Sequence, residues 1–376
     1  MYEVRGKYTT AKIFLKDEDF GVNEQTSLIC NHPIFKDCDI RIMPDCHKGK
    51  GCTIGFTSNM PKNGEIIPNI IGVDQSCGML AIKIKPCKTT RDYLKLDKVI
   101  QQNIPVGTGG KRKDVHSDVL KNEELVENIK RACKDYLSEN FNNELLKIGT
   151  LGSGNHFISL EKGSTGLYLI IHSGSRNFGN RLAVYFQDLA IKKNCYGDGY
   201  LKQLSFLDGE DAESYLYWAS VCKKYSTLSR HIMAKEILEN MDWDMEESIE
   251  TIHNYIGEDN IIRKGAISCK EDEKVIIPIN MAYGTFLAIG KGNSEWNNSG
   301  PHGAGRKLSR QDAKEQLSMN KYKESMKGIH SCCICRGTLD EAPMAYKNGD
   351  EIMKLIEPTS DIYDHLVPVY NFKSIK

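Results

Sequence analysis

Apolar positions fall into short runs early in the chain and into helical spacing further on. Runs at 39–43, 53–56, 70–73 and 79–84 are each bounded by glycine, proline or aspartate. That punctuation predicts strands. Residues 119–140 have helical spacing, and 167–171 reads as another strand. The longest helical pattern runs from Asp211 to about Met241, where Leu216, Ala219, Val221, Tyr225, Leu228, Ile232 and Ile237 recur at near-helical intervals. A strand pair is predicted at 275–279 and 285–289, and a helix at 311–326. Residues 108–118 are polar and glycine-containing, and predict an exposed basic loop. Strands and helices mix without a regular βαβ alternation, which argues against a doubly wound sheet. The expectation is an α+β fold, with mixed β-sheets forming a central cleft flanked by helices. No long flexible linker divides the chain, so residues 1–376 are expected to form a single catalytic domain.

Composition narrows the partners. The chain has 376 residues, with 50 Lys plus Arg against 50 Asp plus Glu, so its formal charge is zero. That balance does not suggest a protein that coats nucleic acid through bulk charge, and it leaves room for a local basic cleft. The start, MYEVRGKYTTAKIF, has no apolar signal region, and no stretch has the length of a membrane span. A cytoplasmic protein, with no membrane contact, is expected. Its 13 cysteines then read as reduced thiols, one or a few of them free to bind metal.

Candidate chemistry lies in glycine-marked segments. Pro301-His302-Gly303-Ala304-Gly305-Arg306 sets a histidine among glycines that let a ligand approach the backbone, beside a guanidinium suited to phosphate. Asp74 and Cys77 share one turn, His156 follows Gly152-Ser153-Gly154-Asn155, His172 ends a strand, and His253 adds another imidazole. Each alone is an ordinary polar residue. Together they resemble a di-metal site whose sulfur, imidazole and carboxylate donors suit Mn²⁺, Zn²⁺, Co²⁺ or Fe²⁺ better than Mg²⁺ or Ca²⁺. The residues do not rank those metals. Asp45, in Asp45-Cys46-His47-Lys48-Gly49, could orient a histidine through its second nitrogen, or lie in a basic turn. His330-Ser331-Cys332-Cys333-Ile334-Cys335 lacks a matching cysteine pair and reads as structural.

Seven segments appear in a telling order: MPDCHKGKGCTIG, GVDQSCGM, LGSGNHF, IHSGSRNFGN, HNYI with RKGAIS, HGAGRKLSR and DEAPMAYK. Together they resemble the RtcB family of RNA ligases, from about residue 40 to the last residues. The resemblance implies a metal-containing cleft and a ligase that joins RNA 3′-phosphate or 2′,3′-cyclic phosphate ends to 5′-hydroxyl ends. It implies GTP and two Mn²⁺ ions, with His302 as the nucleophile that becomes a histidine–GMP and Asp45 holding its other nitrogen. Asp74, Cys77, His156, His172 and His253 match the metal ligands, with Cys77 bridging. Asn155, Thr285, Arg306, Tyr346 and Lys373 match nucleotide contacts, and Arg176 and Arg310 match RNA or phosphate contacts. A monomer is expected.

The chain also departs from that pattern. Ser159 stands where the family has a glutamate that helps hold the nucleotide, which bears on affinity or base selectivity. Ser229-Arg230 replaces Asn-Arg, and Ile279-Asn280-Met281-Ala282 replaces a Gly-Ser-Met-Gly turn. The chain is short for the family, a compact or divergent member. Two other readings suit the same ligands: a dinuclear metal phosphohydrolase, and a non-catalytic binder of broken RNA ends.

Overall fold

The computed structural model describes residues 1–87 and 92–375. Its largest sheet has seven strands, in the order Lys274–Asn280, Gly284–Gly290, Ser360–Lys373, Phe157–Lys162, Leu167–Ser173, Gly78–Ile84 and Met245–Ile252. Every neighbouring pair in it is antiparallel. A six-stranded sheet contains Ile40–His47 and Ile54–Asn59, and has one parallel pairing, between Thr10–Ile13 and Ile40–His47. Ala266–Ser268 and Ser299–Pro301 form a two-stranded ladder that delivers the chain to His302. The mixed α+β expectation holds.

Burial explains how the large sheet makes a cleft. On one face, Leu80, Ile82, Leu169 and Ile171 pack with Met233, Ile237 and Met241 of the helix Gly209–Met241. On the other face, Met79, Ala81 and Ile170 from one half meet Ile276, Leu287 and Leu366 from the other. The sheet therefore curls over itself, and the polar residues at the mouth of the curl are drawn together. Apolar burial of this kind is the main term that stabilises such a layer.

The strands expected near 40, 54, 79 and 167, the pair near 275 and 285, and the long helix are all present. The run at 70–73 is a correction. Pro68–Ile70 is a short 3-10 helix, entered through proline and followed by Gly72 at φ +97°. A short buried apolar run reads the same in either state, and here the proline and the left-handed glycine decide. The helix expected at 311–326 is two, Arg310–Gln316 and Met319–Ser325, because Ser318 caps a new start through its side chain. The pattern at 119–140 likewise divides, into Ser117–Leu120, Glu123–Ala132 and a wider turn at Cys133–Leu137. In the basic loop, Lys111 and Lys113 are exposed, while Arg112 is tied to Glu236.

Candidate active site

The nucleophile candidate is fixed from two sides. Asp45 lies on Ile40–His47 and is fully buried; its Oδ2 is 2.7 Å from Nδ1 of His302. A carboxylate there holds the proton on Nδ1 and leaves the lone pair on Nε2. Gly305, at φ +71°, lets the loop close onto that strand: an added Cβ would sit 2.0 Å from the Asp45 carbonyl oxygen. Lys347 brackets the same residue by donating to the carbonyls of Pro44 and Cys46, at 3.1 and 3.0 Å.

Beside it lies a cluster of metal-type donors. Sγ of Cys77 is 3.4 Å from Nε2 of His156 and 3.2 Å from Nε2 of His172, and Asp74 Oδ2 is 3.2 Å from His156 Nε2. The rings of His172 and His253 are 5.4 Å apart, and those of His253 and His302 are 4.9 Å apart. Two triads share the thiol: Cys77 with His172 and His253, and Cys77 with Asp74 and His156. Within each triad the ligand atoms lie within 4.8 Å of one another, so both could hold an ion. Soft sulfur with imidazole and carboxylate suits a borderline divalent metal.

The surroundings set the charge states. Burial pushes the Cys77 thiol well above its ordinary range, with Asp74 adding to the effect. Burial lowers His172 to about 3 and His253 well below its usual value, so both rings are neutral, as metal ligands must be. His172 donates from Nδ1 to the Asn155 carbonyl at 3.1 Å, which aims Nε2 at Cys77. Gly174 has no room for a side chain, since a Cβ would lie 2.3 Å from Asp74 Oδ1. Arg230, buried within the long helix, donates to the Ser173 carbonyl at 2.7 Å, and its charge acts on the thiol in the opposite direction, downward. Asn254 joins this cluster to the nucleophile side, donating to the Asp74 carbonyl and accepting from the Gly265 amide.

A cavity of about 350 Å³ runs from these histidines to the C-terminal strand. Asp74, Asn155, His172, His253, Thr285, His302, Arg306, Arg310, Tyr346 and Lys373 all line it. Sequence reasoning thus named residues that the fold brings to one place. Cys77 and His156 sit just behind, in contact with those lining residues. Arg176 lies beside His156 but outside the lining, and donates to the Thr150 hydroxyl and the Gly107 carbonyl. Arg306 donates to the carbonyls of Leu308 and Asp340 and pairs with Glu341.

Two acidic residues were missed as site residues. Glu341 is the hub of the far wall: Lys373 is 3.0 Å away, the Tyr346 hydroxyl donates to it at 2.7 Å, and Arg306 and Arg310 stand at 3.3 and 3.8 Å. Despite burial, these cations hold its carboxyl down at about 2. Its signal was the DEAPMAYK segment, in which only the tyrosine was singled out. Glu161 also lines the cavity, and no local pattern around it marks it as a site residue. The cysteines near 333 fit the structural expectation, since Cys333 Sγ donates to the Lys373 carbonyl at 2.9 Å.

A half-buried imidazole oriented by a carboxylate, next to metal-type donors that share one thiol and opening on a cavity, suits a group-transfer centre. The comparisons make this specific. A family model described as "tRNA-splicing ligase RtcB" matches residues 25–374, and the chain belongs to the RtcB family. It is 33% identical to RNA-splicing ligase RtcB1 of Escherichia coli (strain ATCC 25922), over 85% of this chain and 86% of that one. It is 32% identical, with the same coverage, to RNA-splicing ligase RtcB of Escherichia coli K12. The tRNA-splicing ligase RtcB of Nanoarchaeum equitans is 26% identical over 84% of this chain and 83% of its own.

Proposed function

We propose that this chain is a GTP-dependent RNA ligase that joins 3′-phosphate or 2′,3′-cyclic phosphate ends to 5′-hydroxyl ends, in RNA repair or tRNA splicing. The observation that carries this reading is the 2.7 Å contact between His302 Nδ1 and Asp45, which leaves Nε2 as the nucleophilic nitrogen. A dinuclear metal phosphohydrolase would not require a nucleophilic histidine. Family membership supports the same reaction.

A cyclic end is first opened by water to a 3′-phosphate. Nε2 of His302 then bonds to the α-phosphorus of GTP as the bond to pyrophosphate breaks, and Asp45 offsets the positive charge left on the ring. GMP next passes to the RNA 3′-phosphate, which restores the free imidazole. The 5′-hydroxyl finally attacks that phosphorus and expels GMP. Asp74, Cys77, His156, His172 and His253 are the proposed ligands of two Mn²⁺ ions, with Cys77 shared; such ions supply charge stabilisation at the transferring phosphate. Asn155, Thr285, Arg306, Tyr346 and Lys373 are proposed to hold the nucleotide. Arg310 and Arg176 are proposed for RNA phosphates, and the half-exposed Arg310 is the better placed. The working unit is proposed to be a cytoplasmic monomer with one catalytic domain. No helix among the described residues is long and apolar enough to cross a membrane.

Incubation with Mn²⁺ and α-labelled GTP should give an acid-labile, base-stable protein–GMP adduct that is lost in His302→Ala. A wild-type protein that never labels under varied metals removes the central step. Phosphate release from RNA ends without GTP would favour the phosphohydrolase, and binding of ends without turnover would favour the non-catalytic binder.

A further inference from the structure

The wall of the cavity away from the histidines carries polar atoms that the proposed chemistry has not used. In the strand Phe157–Lys162, Ile158 and Leu160 pack into the core beneath the long helix, while Phe157 and Glu161 face the cavity. Glu161 is 2% exposed, and Ser159, also buried, donates to its Oε1 at 2.6 Å. Its Oε2 has no hydrogen-bond partner. The buried Thr285 Oγ1 and Asn371 Oδ1 also have none, and both residues line the same cavity. Thr285 stands close enough to Glu161 to pull its carboxyl down somewhat, yet neither it, Oε2 nor Asn371 Oδ1 makes a hydrogen bond within the chain. Buried polar atoms in folded proteins are nearly always paired, so this wall points to a ligand. Burial also pushes the Glu161 carboxyl up to about 7.

The donor pattern of that ligand follows from the acceptors. A carboxylate presents two acceptor oxygens side by side and takes two parallel N–H donors. Guanine offers such a pair on its Watson–Crick edge, at N1–H and the 2-amino group. Adenine offers one donor and one acceptor there, and its N1 lone pair would face a negative oxygen. Hypoxanthine keeps N1–H and lacks the amino group. We infer that Glu161 reads the guanine edge of the nucleotide and sets base selectivity, with Ser159 holding its carboxylate in place. This rests on the GTP reading above. Position 159, where the family resemblance leads one to expect a glutamate, thus carries the hydroxyl that steadies a carboxylate two residues further along the same strand face.

Calorimetric titration with GMP, IMP and AMP tests base recognition without turnover. The wild-type chain should bind GMP roughly tenfold or more tightly than IMP or AMP, since each lost charged hydrogen bond leaves a buried acceptor unpaired. Glu161→Gln exchanges one acceptor for a donor, so GMP affinity should fall roughly tenfold or more while AMP binding holds or improves. Ser159→Ala should weaken GMP binding by roughly a few-fold, and thermal unfolding of each ligand-free variant checks its fold. Equal binding of GMP and IMP by wild type overturns the inference without any variant. A folded Glu161→Gln that keeps the wild-type GMP-to-IMP ratio overturns it as well. In both cases an intact His302 adduct with GTP leaves the ligase reading standing. A wild-type chain that neither labels nor binds GMP overturns both.

Discussion

Two carboxylates in one cavity are almost equally hidden from water, 3% exposed at Glu341 and 2% at Glu161, and they are held in opposite ways. Glu341 is encircled by Lys373, Arg306, Arg310 and the Tyr346 hydroxyl, and titrates at about 2. Glu161 has one serine hydroxyl and a nearby threonine, and titrates at about 7. Burial alone raises both; the partners decide which is charged. Glu341 is therefore a finished piece of architecture that positions a lysine and a tyrosine. Glu161 keeps one oxygen, Oε2, without a hydrogen bond.

A third buried carboxylate, Asp45, sharpens the contrast, because its partner His302 is the proposed nucleophile. Asp45→Asn keeps the shape but permits the wrong ring tautomer. It should slow formation of the protein–GMP adduct roughly 10³-fold, about 4 kcal/mol in the barrier, with GMP affinity little changed. Rapid-quench labelling with α-labelled GTP measures the rate. A loss in binding with an unchanged labelling rate would place Asp45 with Glu341, as scaffold.

Glu341→Gln comes next. It strands Lys373, itself 5% exposed, without its anion, and breaking a buried pair in this way costs about 3 kcal/mol. Urea unfolding at pH 7 measures it. Because the folded pKa lies below the ordinary value of 4.5, the stabilising contribution is full above about 4.5 and fades as pH falls toward 2. The gap between wild type and variant should therefore close in acid.

Loss of the shared thiol should have a smaller, local effect. Cys77→Ser removes the one donor common to both triads. Metal titration should show both proposed ions weakened together, by at least the roughly 10-fold to 100-fold that loss of a mere orienting partner costs. His156→Ala should weaken mainly one. Independent losses in Cys77→Ser would argue against a shared ligand.

How much of this was legible differs between the two walls. The histidine wall could be read because every member sits next to a glycine turn or a strand end, where close approach leaves a trace in the sequence. His302, Asp74, His156, His172 and His253 were all named, and all converge. The other wall is made by the strand Ser360–Lys373 and by the curl of the large sheet. That strand carries Asp361, Asp364, His365 and Pro368, and its charges mask its period. Glu161 alternates with Leu160 as any solvent-facing glutamate would, and only the pairing of Phe157–Lys162 with Ser360–Lys373 turns it inward. Local patterning carries no record of a face that becomes interior through a contact two hundred residues away. The 3-10 helix Pro68–Ile70 failed for a different reason, since its apolar run is too short to reveal a period.

The smallest effect is also the cleanest test of the contrast. In ligand-free protein, Glu161→Gln removes a buried group that carries charge above pH 7 with little to offset it. The folded pKa of about 7 lies above the ordinary 4.5, so wild type is fully relieved below about 4.5 and loses stability as pH rises to about 7. At pH 8 the variant should be more stable than wild type by about 1–3 kcal/mol, read from urea midpoints, and near pH 5 the gain should largely vanish. Acid thus erases the advantage of Glu161→Gln and the damage of Glu341→Gln, from opposite sides. GMP should reverse the first result at pH 8, because a bound guanine supplies wild-type Glu161 with the donors it lacks and rewards the charged form. If GMP stabilises wild type and Glu161→Gln equally, the carboxylate is buried for a reason other than the base.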